Sequence, residues 1–171
     1  MLGFLEFMLF DEEKYRFMFA ALQEAEKALE ENEIPVGAVV VKENKIIGRG
    51  YNQVERLKDA TAHAEMIAIT SASNHIGNWR LSECSIYVTL EPCIMCTGAL
   101  LASRVKNLYF SIFDPKFGAS GSVHNLAECS KTNHKINVYS GIYTEESKKL
   151  LQAFFSKLKN NSKLKFTPPT A

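Results

Sequence analysis

The segment SIYVTLEPCIMC, residues 85–96, joins two patterns that belong to different secondary structures. Ser85–Leu90 alternates in polarity and predicts a β-strand. Pro92 follows at once, and because proline is well tolerated at the first position of a helix, it predicts a helix that runs to about Ser103. The segment therefore predicts a strand that passes directly into a helix, with two cysteines at the helix start.

The sequence before this segment predicts a helix, a hairpin and a second helix. Asp11 can cap a helix whose apolar residues recur at spacings of three and four. Val36–Val41 is rich in β-branched residues and predicts a buried strand, and Ile46–Tyr51 predicts its hairpin partner. A further helix is expected from His63 to about Ser73. The apolar positions of the first helix are Tyr15, Met18, Leu22, Ala25 and Leu29.

The sequence after the segment predicts two more strands, Val105–Phe110 and Ile136–Tyr139, and a last helix capped by Thr144. Helices between the later strands imply crossover connections, so we expect an α/β fold with a mixed sheet covered on both faces. Residues 1–159 are expected to form a single domain, and the polar stretch 160–171 a disordered tail. The apolar stripe of the last helix is Leu150, Leu151, Phe154, Phe155 and Leu158.

Composition excludes several classes of protein. A chain of 171 residues with 46% hydrophobic residues and a net charge of +1 suits one globular domain. No stretch reaches the roughly 18 apolar residues that a membrane span needs. The apolar start, Met1–Phe10, lacks the basic leader and cleavage site of a secretory signal. Four cysteines do not make a disulfide framework in a chain of this length. We expect a cytoplasmic protein with reduced thiols and no membrane association.

Two short motifs predict a metal site: HAE at residues 63–65 and PCIMC at residues 92–96. Cys93 and Cys96 are three residues apart at a helix start, so both sulfurs face one side. A helix N-terminus also favours the thiolate form of cysteine. With His63 as a third ligand, the set suits Zn²⁺ and leaves a fourth position for water, as in catalytic zinc sites.

Glu65 is expected to be the catalytic residue rather than a ligand. Zinc with two thiolates and a neutral imidazole is formally neutral, so it acidifies bound water less than a site made of histidines. Two helix N-termini aimed at the metal partly offset this difference. The carboxylate of Glu65 would further favour deprotonation of the water by accepting its proton.

Each motif alone has another interpretation. A lone Cys-x-x-Cys is often a redox pair or half of a structural zinc site, and a lone His-x-Glu is weak evidence. A structural site would need a second ligand pair, and Cys84 and Cys129 lack that spacing. The two motifs together, in this order, form the signature of the zinc-dependent nucleobase deaminases. We therefore expect an enzyme that removes an amino group from a nucleobase by hydrolysis.

From Glu33 to about Phe155 the chain resembles the bacterial tRNA-specific adenosine deaminases of the cytidine-deaminase-like superfamily. The resemblance implies a three-layer α/β/α fold with a five-stranded sheet, a homodimer, and conversion of adenosine to inosine at the wobble position of a tRNA anticodon. The stretches that carry it are IPVGA (34–38), DATAHAE (59–65), YVTLEPCIMCTGA (87–99), DPKFGA (114–119), Gly121-Ser122 and Asn133-His134.

The resemblance also implies roles for individual residues. The zinc ligands would be His63, Cys93 and Cys96, and Glu65 would shuttle protons. Asn52 would hydrogen-bond the flipped base, and Asp114 would contact the RNA backbone. From the residues alone, Asn52 is a strand-end turn residue and Asp114 begins a turn. The remaining candidates around the base are Ile34, Leu90 and Ala64. Candidate RNA contacts are Lys116, Phe154 and Lys157, although for Phe154 on the last helix core packing is the default expectation.

Two departures from the family and two rival functions remain. Phe113 stands where the family has a basic residue, and Phe117 replaces a small one, which affects local RNA contacts rather than the chemistry. The closest rival is a deaminase of a free base or nucleotide, of guanine or cytosine type, on the same fold. The other is a non-catalytic, zinc-containing RNA-binding subunit. Glu65 favours an enzyme, because such a subunit has no need of it.

Overall fold

The computed structural model describes residues 10–163 of the chain. The elements follow the predicted order, with one addition, the short helix α2. The helices are α1 (Glu12–Glu30), α2 (Val54–Leu57), α3 (Ala64–Ile76), α4 (Ile94–Ala102) and α5 (Thr144–Lys163), and the strands are β1 (Gly37–Lys42), β2 (Lys45–Tyr51), β3 (Ser85–Leu90), β4 (Asn107–Ile112) and β5 (Asn137–Ser140).

The five strands form one mixed sheet in the order β2-β1-β3-β4-β5. The hairpin strand β1 pairs antiparallel with both β2 and β3. The pairs β3–β4 and β4–β5 are parallel. The connection from β3 to β4 contains α4, as a parallel pair requires a crossover. The connection from β4 to β5 is a loop over residues 113–136 with no helix. The predicted mixed sheet is confirmed.

Helices cover both faces of the sheet, which confirms the three-layer α/β/α arrangement. On one face, Met18 and Ala21 of α1 pack against Val39 and Tyr87 of the sheet. On the other face the buried cluster joins the alanines of α3 and Leu100 of α4 to side chains of β1, β3 and β4. Helix α5 lies on the side of α1 and contacts it. The fold thereby places the N-termini of α3 and α4 on the same face of the sheet.

Small residues set the position of α3 against the edge strand β2. A Cβ atom on Gly50 would lie 2.3 Å from the carbonyl oxygen of Ala64, and one on Gly48 would lie 2.5 Å from that of Ala68. Real Cβ atoms do not approach this closely, so only glycine fits under the helix. The close approach fixes the start of α3, where the HAE motif stands.

Several predicted boundaries differ from the observed ones by one to three residues. Pro92 does not open α4, because Cys93 is its N-cap and is held extended by a bridge to Gly118. Strand β4 begins at Asn107 rather than Val105, whose N–H closes the turn after α4 by bonding Leu100. Helix α5 begins at Thr144, the predicted cap, and the carbonyl of Tyr143 before it accepts from the Ser147 N–H. The cap by Asp11 is confirmed, since its side chain accepts from the Lys14 N–H.

The last helix is longer and less buried than its apolar stripe predicts. Phe154 is buried, whereas Phe155 and Leu158 are about half exposed. The helix runs to Lys163, past the expected domain boundary at residue 159. The rest of the expected tail, 164–171, lies outside the described residues, as do residues 1–9 of the apolar start. Within residues 10–163, none of the helices combines the length and apolar character of a membrane span.

Candidate active site

The structure brings the three predicted ligands together. His63 is the N-cap of α3, Cys93 is the N-cap of α4, and Cys96 lies in the first turn of α4. The Nδ1 atom of His63 is 3.8 Å from the Cys93 sulfur and 3.5 Å from the Cys96 sulfur. All three donor atoms lie within 4.8 Å of one another. Two helix N-termini thus converge on a cluster of one nitrogen and two sulfurs.

This donor set fits zinc. Tetrahedral Zn²⁺ with usual Zn–S and Zn–N bond lengths holds nitrogen and sulfur about 3.6 Å apart, close to the two separations found between His63 and the cysteines. Among residues 10–163 this is the one cluster of three or more histidine, cysteine or acidic side chains that could hold a metal. Three protein ligands leave a position for water, which is the arrangement of catalytic rather than structural zinc.

The cluster favours thiolate at Cys93. Hydrogen bonds from the Cys96 thiol and from His63 lower the pKa of Cys93 to about 4. The hydrogen bond between His63 and Cys93 raises the pKa of His63. A different hydrogen bond, between Cys96 and Cys93, raises the pKa of Cys96 together with burial. A bound metal cation would displace protons from this cluster, because zinc binds cysteine as thiolate and histidine as neutral imidazole.

Glu65 lies beside the ligands without belonging to them. It is the second residue of α3 and is 4% exposed. Burial raises the pKa of its carboxyl to about 7, with the charges of His63 and Cys93 acting in opposite directions. A buried carboxyl that titrates near neutrality can take up and return a proton within one turnover. The role of Glu65 as proton carrier stays a prediction, which its burial and its place beside the ligands support.

Asn52 is buried directly after β2, and its amide is held by Glu33. The Asn52 Nδ2 atom donates to Glu33 Oε2 over 3.4 Å. Glu33 is 1% exposed and also accepts from the N–H groups of Glu55 at 3.2 Å and Arg56 at 2.7 Å, at the start of α2. Because a carboxylate only accepts, the amide nitrogen of Asn52 faces Glu33 and its carbonyl oxygen is turned elsewhere. The sequence analysis missed both Glu33 and α2.

The three predicted wall residues differ in exposure. Ile34 is 41% exposed on the loop before β1, and Leu90 is partly buried at the end of β3. Ala64 has no exposed surface and packs in the core cluster with Ala38 and Val88. Ala64 therefore presents no accessible surface to a substrate.

The predicted RNA-contact residues lie on the β4–β5 loop and on α5. Asp114 begins a turn, because its Oδ1 accepts from the N–H groups of Lys116 at 2.9 Å and Phe117 at 3.2 Å. This confirms the interpretation from the residues alone. Lys116 is exposed, and Phe117 is 69% exposed. Phe154 is buried edge-to-face against Phe155, which confirms core packing. Lys157 is exposed and bonds Asn32.

A second buried carboxylate missed from the sequence, Glu91, anchors the β4–β5 loop. It is 3% exposed and accepts from the N–H groups of Asp114, Ser120 and Ser122. The sequence feature that could have indicated a role for Glu91 is its position directly before Pro92, the first residue of the PCIMC motif. The contacts themselves carry no signal, since the donors are backbone groups.

Comparison with known proteins gives concordant matches. The model of the cytidine and deoxycytidylate deaminase zinc-binding region matches residues 11–112, which include all three ligands and Glu65. The tRNA-specific adenosine deaminase of Aquifex aeolicus (strain VF5) is 47% identical over 148 residues, 86% of this chain and 97% of the relative. The enzyme of the same name from Bacillus subtilis (strain 168) is 45% identical over 147 residues, 86% of this chain and 91% of the relative.

A solved structure agrees with these relatives. It comes from biochemical and structural studies of A-to-I editing by tRNA:A34 deaminases at the wobble position of transfer RNA. It is 41% identical, covers 80% of this chain and 99% of its own, and superposes with a TM-score of 0.77. The chain belongs to the tRNA-specific adenosine deaminases, within the zinc-binding cytidine and deoxycytidylate deaminase family.

Proposed function

We propose that the chain converts adenosine to inosine at the wobble position of a tRNA anticodon, by zinc-dependent hydrolysis. The observation that carries the proposal is the meeting of His63, Cys93 and Cys96 within 4.8 Å, with the buried carboxyl of Glu65 on the same helix start. The printed names of the relatives supply the substrate class, a tRNA adenosine.

Two tasks in the reaction, metal binding and proton transfer, fall to different residues. His63, Cys93 and Cys96 would hold zinc, which when bound lowers the pKa of water and so supplies a nucleophile near neutral pH. Glu65 would take one proton from the water and deliver it to N1 of the adenine as the water oxygen bonds to C6. Glu65 would then carry the remaining proton of that oxygen to the exocyclic amine, so that the C6–N bond breaks, ammonia leaves and the base becomes hypoxanthine. The net reaction consumes one water and releases one ammonia.

Residues around the metal would select the base. Asn52 is fixed by Glu33, so its carbonyl oxygen is available to accept a hydrogen bond from the base. Ile34 and Leu90 supply apolar surface on the loop before β1 and at the end of β3. An anticodon loop suits this site, because its bases are unpaired and cost little to turn outward.

The proposal extends to RNA contacts, assembly and compartment. Lys116 and Lys157 are exposed cations on the β4–β5 loop and α5, where they can meet phosphates. Large apolar side chains at the surface support a homodimer. Two of them are Trp79 and Ile94, the residue after Cys93, and each of these two side chains is 54% exposed. A tRNA substrate and reduced thiols are consistent with the cytoplasm.

The test is a substrate panel with the zinc-loaded protein. An anticodon stem-loop with adenosine at the wobble position should yield inosine, measured by mass spectrometry of the digested RNA. Free adenosine, cytidine and guanine should remain unchanged. Turnover of a free base at a comparable rate would favour the small-molecule deaminase, and RNA binding without turnover would favour the non-catalytic subunit.

A further inference from the structure

Glu91 occupies an unusual position between the end of β3 and the cysteine ligands. Its Oε2 atom accepts from the Asp114 N–H at 3.0 Å. Its Oε1 atom accepts from the N–H groups of Ser120 at 2.9 Å and Ser122 at 3.0 Å. Both oxygens of a carboxylate that is 3% exposed are therefore taken up by the backbone of residues 114–122.

Further contacts tie the same segment to the metal-binding loop. The Ala119 N–H bonds the Pro92 carbonyl at 2.9 Å, and Gly118 forms a β-bridge with the ligand Cys93. The hydroxyl groups of Thr97 and Ser120 are 3.0 Å apart. The 114–122 segment thus curls around the Glu91 carboxylate and runs along a ligand of the metal site.

The fit around this carboxylate is tight enough to require glycine. A Cβ atom on Gly118 would lie 2.2 Å from Glu91 Oε2 and 2.2 Å from the hydroxyl oxygen of Ser122. Gly118 has an ordinary φ, so close approach rather than backbone conformation explains the glycine. This steric observation is independent of the hydrogen bonds and indicates the same packing.

We infer that Glu91 is a positioning residue that fixes the 114–122 segment as one wall of the substrate entrance. The inference rests on the proposed function, because it treats the exposed Lys116 and Phe117 on this segment as contacts for RNA. Three N–H groups lose their charged acceptor if the carboxylate is removed, so the segment loosens.

The metal ligands do not depend on Glu91 in the same way. The Cys93 carbonyl accepts from the Thr97 N–H at 2.8 Å, which is a bond of the α4 start itself. His63 stands on α3, which packs against β2. Removing the Glu91 carboxylate should therefore weaken substrate binding more than it weakens zinc binding or the chemical step.

The test is Glu91→Gln, which keeps the shape but turns an NH₂ group toward one set of backbone N–H donors. We expect one zinc per chain as in wild type, amide exchange in residues 114–122 faster by about tenfold or more, and a KM for the stem-loop higher by about tenfold. The kcat should stay within about threefold. Glu128→Gln is the control, an exposed acid on the same β4–β5 loop whose known contact is Asn125.

Gly118→Ala disturbs the contact between Glu91 and the 114–122 segment by placing a methyl group against the Glu91 carboxylate. This second variant keeps the test decisive if Glu91→Gln does not fold. It should give the same faster exchange and raised KM. Zinc retention is judged in Glu91→Gln, because Gly118 itself pairs with the ligand Cys93. Unchanged exchange and KM in a folded variant would overturn the inference, as would a fall in kcat that follows loss of zinc. Amide exchange and zinc content need no turnover, so they test Glu91 even if the wild-type protein leaves the stem-loop unmodified.

Discussion

The Nδ1 atom of His63 lies 3.5 Å from the sulfur of Cys96, although the two residues are 33 positions apart. The contact joins the starts of two helices that follow different strands, β2 and β3. It depends on glycines that let α3 lie close to β2, and on the direct passage from β3 into α4. The reaction proposed for the chain follows from this meeting and from Glu65 beside it.

Replacing Glu65 should remove activity without removing the metal. In Glu65→Ala the rate of inosine formation should fall by at least about 10²–10⁴-fold, because the proton carrier is lost. Zinc content and the unfolding temperature should remain close to wild type, since Glu65 is not among the ligands. Mass spectrometry of the RNA and metal analysis measure the two effects. Retained activity, or loss of the metal, would contradict the assigned role.

Filling the space between β2 and α3 should damage the site from a distance. In Gly50→Ala the new methyl group meets the Ala64 carbonyl oxygen, so α3 must move, and His63 moves with it. We expect a loss of about 1–3 kcal/mol in unfolding free energy and weaker zinc binding. Gly98→Ala is the control, since nothing lies within 4 Å of that position in α4. It should be neutral or stabilise by about 0.5–1 kcal/mol. Denaturant titrations measure the unfolding free energies of both variants. Equal changes in the two would refute the steric role assigned to Gly50.

Glu33 should contribute to both stability and substrate binding. In Glu33→Ala the N–H groups of Glu55 and Arg56 lose their acceptor, which should cost about 1–3 kcal/mol of unfolding free energy. The KM for the stem-loop should rise, because Asn52 is no longer held. Glu31→Ala removes a surface ion pair with Arg56 and should leave both quantities near wild type. A normal KM in Glu33→Ala would mean that Asn52 does not need this contact.

Binding to the stem-loop should weaken as salt increases, because phosphate contacts release counterions. Lys116→Ala and Lys157→Ala should each lower the slope of log affinity against log salt by about 1. Lys106→Ala is the control, because Lys106 precedes β4 at the other end of the strand and pairs with Glu83. Titrations between low and physiological salt measure the slopes. A flat salt dependence in wild type would indicate a small-molecule substrate.

Local patterns in the sequence predict most of the fold and the metal centre. Asp11 caps its helix through a neighbour three residues away, and Ser85–Leu90 forms the strand that its pattern predicts. The ligands are predictable because their residue types and spacing are rare. Glu33 and Glu91 are different, since each bonds backbone N–H groups 22 to 31 residues away. Backbone donors are common to every residue except proline, so the sequence carries no mark of these contacts.

The most direct measurement is the zinc content of the purified chain, combined with X-ray absorption at the zinc edge. The account predicts about one zinc per chain, with two sulfur ligands at about 2.3 Å and lighter atoms completing the shell. Metal-free protein that is folded and active would contradict it. So would a zinc ion surrounded by four sulfurs, or by none.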